Sequence, residues 1–137
     1  MDFKIIAQGI TKIDYRSTLS DLSHQDGNAK MYIQVNIDID NISTNVYRVD
    51  INFALNAKWH ATDKDMYSFI FTHSCIVRTC ICDENKIERM LYIEVPTYVL
   101  PLIDAYVKAI TGGTGYEVFS ICDIDFERIY KMIKHKK

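Results

Sequence analysis

The sequence predicts an α+β protein: a four-stranded antiparallel sheet with two C-terminal helices packed on one face. Three observations predict it. Four successive stretches alternate apolar and polar residues at every second position, no helix-length pattern separates them, and from Glu84 onward the apolar period becomes helical. Strands that follow one another without a crossover helix pair antiparallel. The 137 residues suit one domain, and no repeat, low-complexity run or linker divides them, so 1–137 is read as a single unit.

The first strand is expected over 3–15, with a bend at Gly9. A polar segment, RSTLSDLSHQDGNAK, follows, and Asp26, Gly27 and Asn28 mark a turn. In MYIQVNIDID, Met31, Ile33, Val35, Ile37 and Ile39 share one face, while Gln34, Asn36, Asp38 and Asp40 share the other. That is a strand buried on one side. After a loop at Asn41–Asn45, VYRVDINFALNAKW repeats the pattern. Tyr47, Val49, Ile51, Phe53, Leu55, Ala57 and Trp59 oppose Arg48, Asp50, Asn52, Asn56 and Lys58. The fourth strand, 66–82, sets Tyr67, Phe69, Phe71, Cys75 and Val77 against Ile70, Ile76 and Cys80. Apolar groups on both faces predict cover on both sides, by helices or by another subunit.

In the first helix Val99, Ile103, Tyr106, Val107 and Ile110 recur at helical spacing, and Asp104 with Lys108 forms an i,i+4 pair. Pro96 suits a first turn. Pro101 requires that the regular helix begin nearby or kink there. Gly112 and Gly113 end it. The last helix starts near Asp123 or Asp125, whose carboxylates accept from free backbone N–H groups, and Phe126, Ile129, Tyr130 and Ile133 form its stripe.

Composition excludes several classes of function. With 48% hydrophobic and 25% charged residues the chain is too apolar for disorder, and a net charge of −2 gives no footprint for nucleic acid. The one basic cluster, Lys131, Lys134, His135, Lys136 and Lys137, complements the negative end of the final helix. MDFKIIAQGI lacks the pattern of a secretory signal. The apolar window YIEVPTYVLPLIDAYVKAI is interrupted by Glu94, Asp104, Lys108 and two prolines, against membrane insertion. A cytoplasmic, soluble protein is expected. Cys75, Cys80, Cys82 and Cys122 form no CxxC pair, and His73 and Cys75 face away from Cys80 and Cys82 by parity. Buried free thiols are expected rather than a zinc site.

No catalytic constellation emerges. GGTG lacks the GK[ST] of a phosphate loop and follows a helix, and His24, His60, His73 and His135 stand in no recognisable relation to Ser or Cys. Neither an enzymatic activity nor a cofactor is expected. Asp38, Asp40 and Asp50 could group on one sheet face, although their alternation with Asn and Gln reads more simply as a solvated face. The connection between the helices is the conspicuous feature. Some ten residues, extended over about 33 Å, carry Tyr116, Val118, Phe119 and Ile121. So many apolar groups must lie on something, either their own core or a groove shared with a ligand.

The segment VPTYVLPLIDAYVKAITGGTGYEVFSICDIDFERIY resembles the C-terminal part of the SecB-type protein-export chaperones. Pro101 stands at the family's helix proline, Phe119 and Ile121 at the alternating leucines of its crossover, and DFERIY (Asp125 to Tyr130) at the start of its closing helix. ITKIDYRS is similar to the family's first-strand ending. The resemblance implies a diverged member that holds unfolded or extended polypeptides without ATP, in protein export or beside a toxin–antitoxin pair. It also implies assembly as a homo-oligomer, a dimer or tetramer. Tyr116, Val118, Phe119, Ile121 and Phe126 would then contact polypeptide, and Asp38, Asp40 and Asp50 would offer an acidic face to an export motor. The alternative is a protein of this fold that binds one folded partner and lacks general chaperone activity.

Overall fold

A computed structural model of the chain describes residues 2–17, 29–59, 65–112 and 120–135. The expected turn at Asp26–Asn28, His24 and His60, the tail Lys136 and Lys137, and Tyr116, Val118 and Phe119 lie outside the described residues.

Four strands form one antiparallel sheet: β1 (Phe3–Ser17), β2 (Ala29–Ser43), β3 (Val46–Trp59) and β4 (Asp65–Thr79), in the spatial order β1-β4-β3-β2. The antiparallel pairing matches expectation. The order does not follow from alternation: β1 lies beside β4, so β1 and β2 form opposite edges. β2 and β3 are joined by a tight turn in which Asn45 takes a positive φ of 63°, a conformation its short polar side chain tolerates. The bend expected at Gly9 resolves into two irregularities flanking it, where the register shifts between Ile5 and Ala7 and between Ile10 and Lys12. A β-carbon at Gly9 would meet no atom within 4 Å, so crowding does not require the glycine. The bulges turn the edge strand.

Alternation chose the buried face correctly. Val49, Ile51, Phe53, Leu55 and Ala57 of β3 and Phe69, Phe71, Cys75 and Val77 of β4 are at most 1% exposed. Phe53 stacks on Phe71 at 4.7 Å, and Phe69 lies 4.7 Å from Phe71. Such offset aromatic pairs add to area burial. On the outer face Ile70 stays 45% exposed and Ile76 partly so, since the described residues lay their helices on one side only. The double cover expected for β4 is not met within the described chain.

The helical layer is α1 (Glu84–Arg89), a π-helical turn (Met90–Glu94), α2 (Val95–Gly112) and α3 (Phe126–His135). Asp83 caps α1 by accepting from the Asn85 N–H at 3.0 Å. The helical run therefore starts well before Pro96, which stands in the first turn of α2 but follows the π turn without a break in the helix. Proline cannot donate to the carbonyl four residues back, and a π turn is one way the ladder accommodates that gap. Asp125 caps α3, accepting from Glu127 N–H at 3.1 Å and Arg128 N–H at 3.3 Å. The run Glu84–Thr111 is long and apolar enough to cross a membrane by composition, yet half of its most apolar window is buried on the protein. It is a core helix. Met90, Val95, Val99, Ile103 and Val107 are at most 2% exposed and close the aromatic layer.

Candidate functional site

Because β2 is a sheet edge, its outer side carries backbone groups with no partner strand among the described residues. The helix-facing residues lose cover along β2 from Ile37 back to Ile33: Ile37 is 4% exposed, Val35 half-buried, and Ile33 39% exposed. Beside them run the end of the inter-helix connection and α3. Together they enclose a cleft of about 650 Å³, its apolar walls made by Ile33, Val35, Ile121, Ile124, Ile129 and Met132. Ser120, Asp123 and Gln34 supply its polar margin. Met132 is 55% exposed. An open, mostly apolar depression with few polar groups suits a ligand that offers side chains rather than charge.

The far side of α3 explains why the cleft keeps its shape. Phe126 and Tyr130 are buried, and Tyr130 packs on Tyr92 of the π turn with ring centroids 5.5 Å apart. Arg89 donates to Glu127 at 3.1 Å, and Lys134 lies 3.9 Å from Glu88. These pairs are exposed and individually weak. They orient α3 on α1 more than they hold it.

One buried carboxylate organises the wall formed by the connection. Asp104 of α2 is 5% exposed. Its Oδ1 accepts from Ile121 N–H at 2.7 Å and Ser120 Oγ at 3.1 Å. Its Oδ2 accepts from Lys108 Nζ at 3.0 Å and the Cys122 thiol at 3.1 Å. Burial alone would raise its pKa, but the Ile121 N–H, the Lys108 ammonium, the thiol and the hydroxyl together lower it to about 2. The i,i+4 pair read from the sequence is present. Its links to Ser120, Ile121 and Cys122 bridge 16 to 18 residues of sequence, and no local pattern signals them.

Of the residues expected to contact polypeptide, Ile121 lies in the cleft wall but is only 1% exposed, and Phe126 is 2% exposed within the core behind it. The most accessible apolar surface of the cleft instead belongs to Ile33 and Met132, with Val35, Ile124 and Ile129 half-buried beside them. The parity of Ile33 and the helical stripe that holds Ile129 were legible, whereas Met132 lies outside that stripe, and incomplete cover is a tertiary property.

The three expected acidic residues do share the outer sheet face. Asp38 pairs in register with Asp50, and Asp40 with Arg48. Two of the carboxylates are engaged: Asp38 accepts from Asn52 at 2.9 Å, and Asp50 accepts from Arg48 Nε at 2.9 Å and Ser74 Oγ at 2.6 Å. Thr72 donates on to Asn52, and Ser74 meets Thr11. The face is a hydrogen-bonded polar ladder across the strands.

The cysteines correct an expectation. Cys75 is buried, its thiol pushed up to about 12 by burial and the charge of Asp50. Cys80, Cys82 and Cys122 are exposed, because the strand ends at Thr79, before the first two. Among the described residues no group of three His, Cys, Asp or Glu side chains converges to hold a metal. His73 is buried at 1% exposure with both ring nitrogens occupied, Nδ1 by Tyr106 Oη at 2.9 Å and Nε2 by Gln8 Oε1 at 3.0 Å. Burial lowers its pKa. The neutral tautomer that donates from Nε2 and accepts at Nδ1 satisfies all three groups.

The family model described as preprotein translocase subunit SecB matches residues 2–137. The chain belongs to the SecB family. Its fold is similar to that of a Mycobacterium tuberculosis SecB-like chaperone, solved in complex with a ChAD peptide from the HigA1 antitoxin. That likeness has a TM-score of 0.71 at 12% identity and covers 88% of each chain. A Streptococcus agalactiae protein of unknown function aligns at a TM-score of 0.47 and 6% identity over 88% of this chain and 97% of that one. No curated protein matches. For this SecB-family chain the comparisons establish fold and family, and the site rests on its own geometry.

Proposed function

We propose that this chain is a holding chaperone that takes extended, apolar polypeptide into the cleft between β2 and α3 without ATP. The observation that carries the reading is the adjacency of two features: a strand edge with no partner strand among the described residues and an apolar trough directly beside it. An extended peptide laid along β2 would satisfy the free edge with main-chain hydrogen bonds, which carry no sequence information. Alternate side chains would fall onto Ile33, Ile129 and Met132, which require only apolar character. Broad selectivity for unfolded segments follows. Family membership and the peptide bound by the mycobacterial relative support the same class of ligand.

Self-association belongs to the proposal. At the opposite edge β1 leaves Ile10 and Ile13 40% and 53% exposed, and α2 beside it leaves Tyr98 and Leu102 54% and 49% exposed. Phe3 joins the two elements by an edge-on contact with Tyr98 at 5.7 Å. A monomer seldom keeps so many apolar groups clustered in water, and a second copy of the chain covers them in this reading. An export motor, the partner of the acidic outer face in the family's pattern, would have to compete with the hydrogen bonds that Asp38 and Asp50 already make within the sheet.

Suppression of aggregation tests the proposal. The chain, at a stoichiometric ratio, is expected to slow the aggregation of several unrelated chemically unfolded proteins and to do so without nucleotide. Capture of a single folded partner with no effect on any unfolded protein would point instead to a dedicated interaction protein and overturn the holding reading.

A further inference from the structure

We propose that Asp104 is the positioning residue of the cleft: from α2 it latches Ser120, Ile121 and Cys122, and so sets how tightly the cleft holds an extended peptide. This rests on the cleft being the peptide site. Residues 120–125 form no helix or strand, and outside Asp104 and the Asp125 side-chain cap their backbone hydrogen bonds among the described residues are long: Ile124 N–H to Ile121 C=O and Cys122 N–H to Ser120 Oγ at 3.4 Å each, and Ile129 N–H to Asp125 C=O at 3.3 Å. Three consecutive residues of this irregular segment nevertheless converge on one carboxylate, the Ile121 amide most closely. The Ile121 side chain is simultaneously packed into the core and forms part of the cleft wall. One residue is thus held at two points, by a hydrogen bond to its backbone and by burial of its side chain. Remove the hydrogen bond and the segment can rotate about its apolar plug, which displaces Ser120, Asp123 and Ile124 at the cleft margin.

A buried carboxylate is a poor choice for stability alone, because desolvation offsets much of what its partners contribute. Its particular capacity is geometric. Two oxygens with several lone pairs can gather hydroxyl, amide, thiol and ammonium donors at once, which no apolar side chain can do. An asparagine in its place keeps one acceptor for the Ile121 N–H but turns the other position into a donor, facing Cys122 and the Lys108 ammonium.

The test compares wild type, D104N and D104A as full-length chains. Affinity is measured by fluorescence anisotropy with a fluorescein-labelled dodecapeptide of alternating leucine and serine. Hydrogen exchange is read at the Ile121 and Cys122 amides. D104A is expected to weaken binding at least tenfold and D104N by less. Exchange at Ile121 should accelerate in the same order, while the amides of α3 stay protected. Val107→Ala, a core truncation on the same helix, controls for general loosening. Equal peptide affinity in wild type and D104A overturns the latch, as does a loss that V107A reproduces. Should D104A not fold, D104N decides alone: unchanged affinity and unchanged Ile121 exchange overturn the proposal. A wild-type chain that does not bind the peptide overturns the chaperone reading first, so the two failures are distinguishable.

Discussion

Replacing two cleft residues, Met132 by Gln and Ile33 by Thr, isolates the apolar contribution to peptide binding. Met132 is 55% exposed and Ile33 39% exposed, and those fractions are what a ligand can newly cover. Full burial of such a side chain contributes about 1.5–3 kcal/mol, so the available share is roughly 0.8–1.6 kcal/mol at Met132 and about 0.6–1.2 kcal/mol at Ile33. Summed, about 1.4–2.8 kcal/mol corresponds to a loss of roughly 10- to 100-fold in affinity. The two side chains line one cleft, so some departure from additivity is expected. Gln preserves helix propensity and Thr preserves β-branching, which keeps the effect on folding small. The assay is anisotropy of a labelled extended apolar peptide, with thermal melting of each variant as the folding control. Ile42→Thr, 52% exposed at the far end of β2 and not part of the cleft lining, should bind like wild type. A double variant that melts normally yet binds within twofold of wild type refutes the reasoning. A comparable loss in I42T does so as well, since it would show that any exposed apolar group serves.

The buried His73 makes stability depend on pH. Its folded pKa lies below the ordinary value, so the unfolded chain binds the proton more readily; stability is full above about pH 6.5 and falls as pH drops toward the folded pKa, by at most about 1.4 kcal/mol per unit. Urea unfolding at pH 7.5, 6.5 and 5.5 measures this, and H73Q should flatten the slope. Tyr106→Phe removes the donor to His73 Nδ1 and is expected to cost about 1–3 kcal/mol in the same unfolding assay at pH 7.5. Leu102→Asp should shift the sedimentation profile toward monomer while leaving the melting temperature of the monomer near that of wild type, because Leu102 is 49% exposed. Asp104, with its pKa lowered to about 2, contributes stability that is complete above about pH 4 and lost as pH falls toward 2; acid unfolding monitored by circular dichroism should therefore be steeper in wild type than in D104N over that window.

Much of the architecture was legible because it is written locally. A period of two states which side of a strand is wet, and Val49 through Trp59 obey it residue by residue. Carboxylates placed before apolar stripes mark helix starts, and Asp125 caps α3 as its position predicts. The chaperone-like C-terminal half was readable for the same reason, as a run of proline, glycines and spaced apolar residues in order.

The cleft was not readable in the same way. Alternation puts Ile33 and Ile37 on one face but cannot state that one is covered and the other is left at the rim, since that depends on where α3 comes to rest. Nor does it say which strands are edges: β1 beside β4 follows from long-range pairing. Lys108 apart, the partners of Asp104 and of His73 lie 16 or more residues away and meet only once the segments have packed. The order of residues thus determined the elements and their buried faces, through periodicities and caps that each act within a few positions. Packing alone decided which apolar groups stayed uncovered and which polar groups converged, because those outcomes depend on distances between segments that no local pattern encodes.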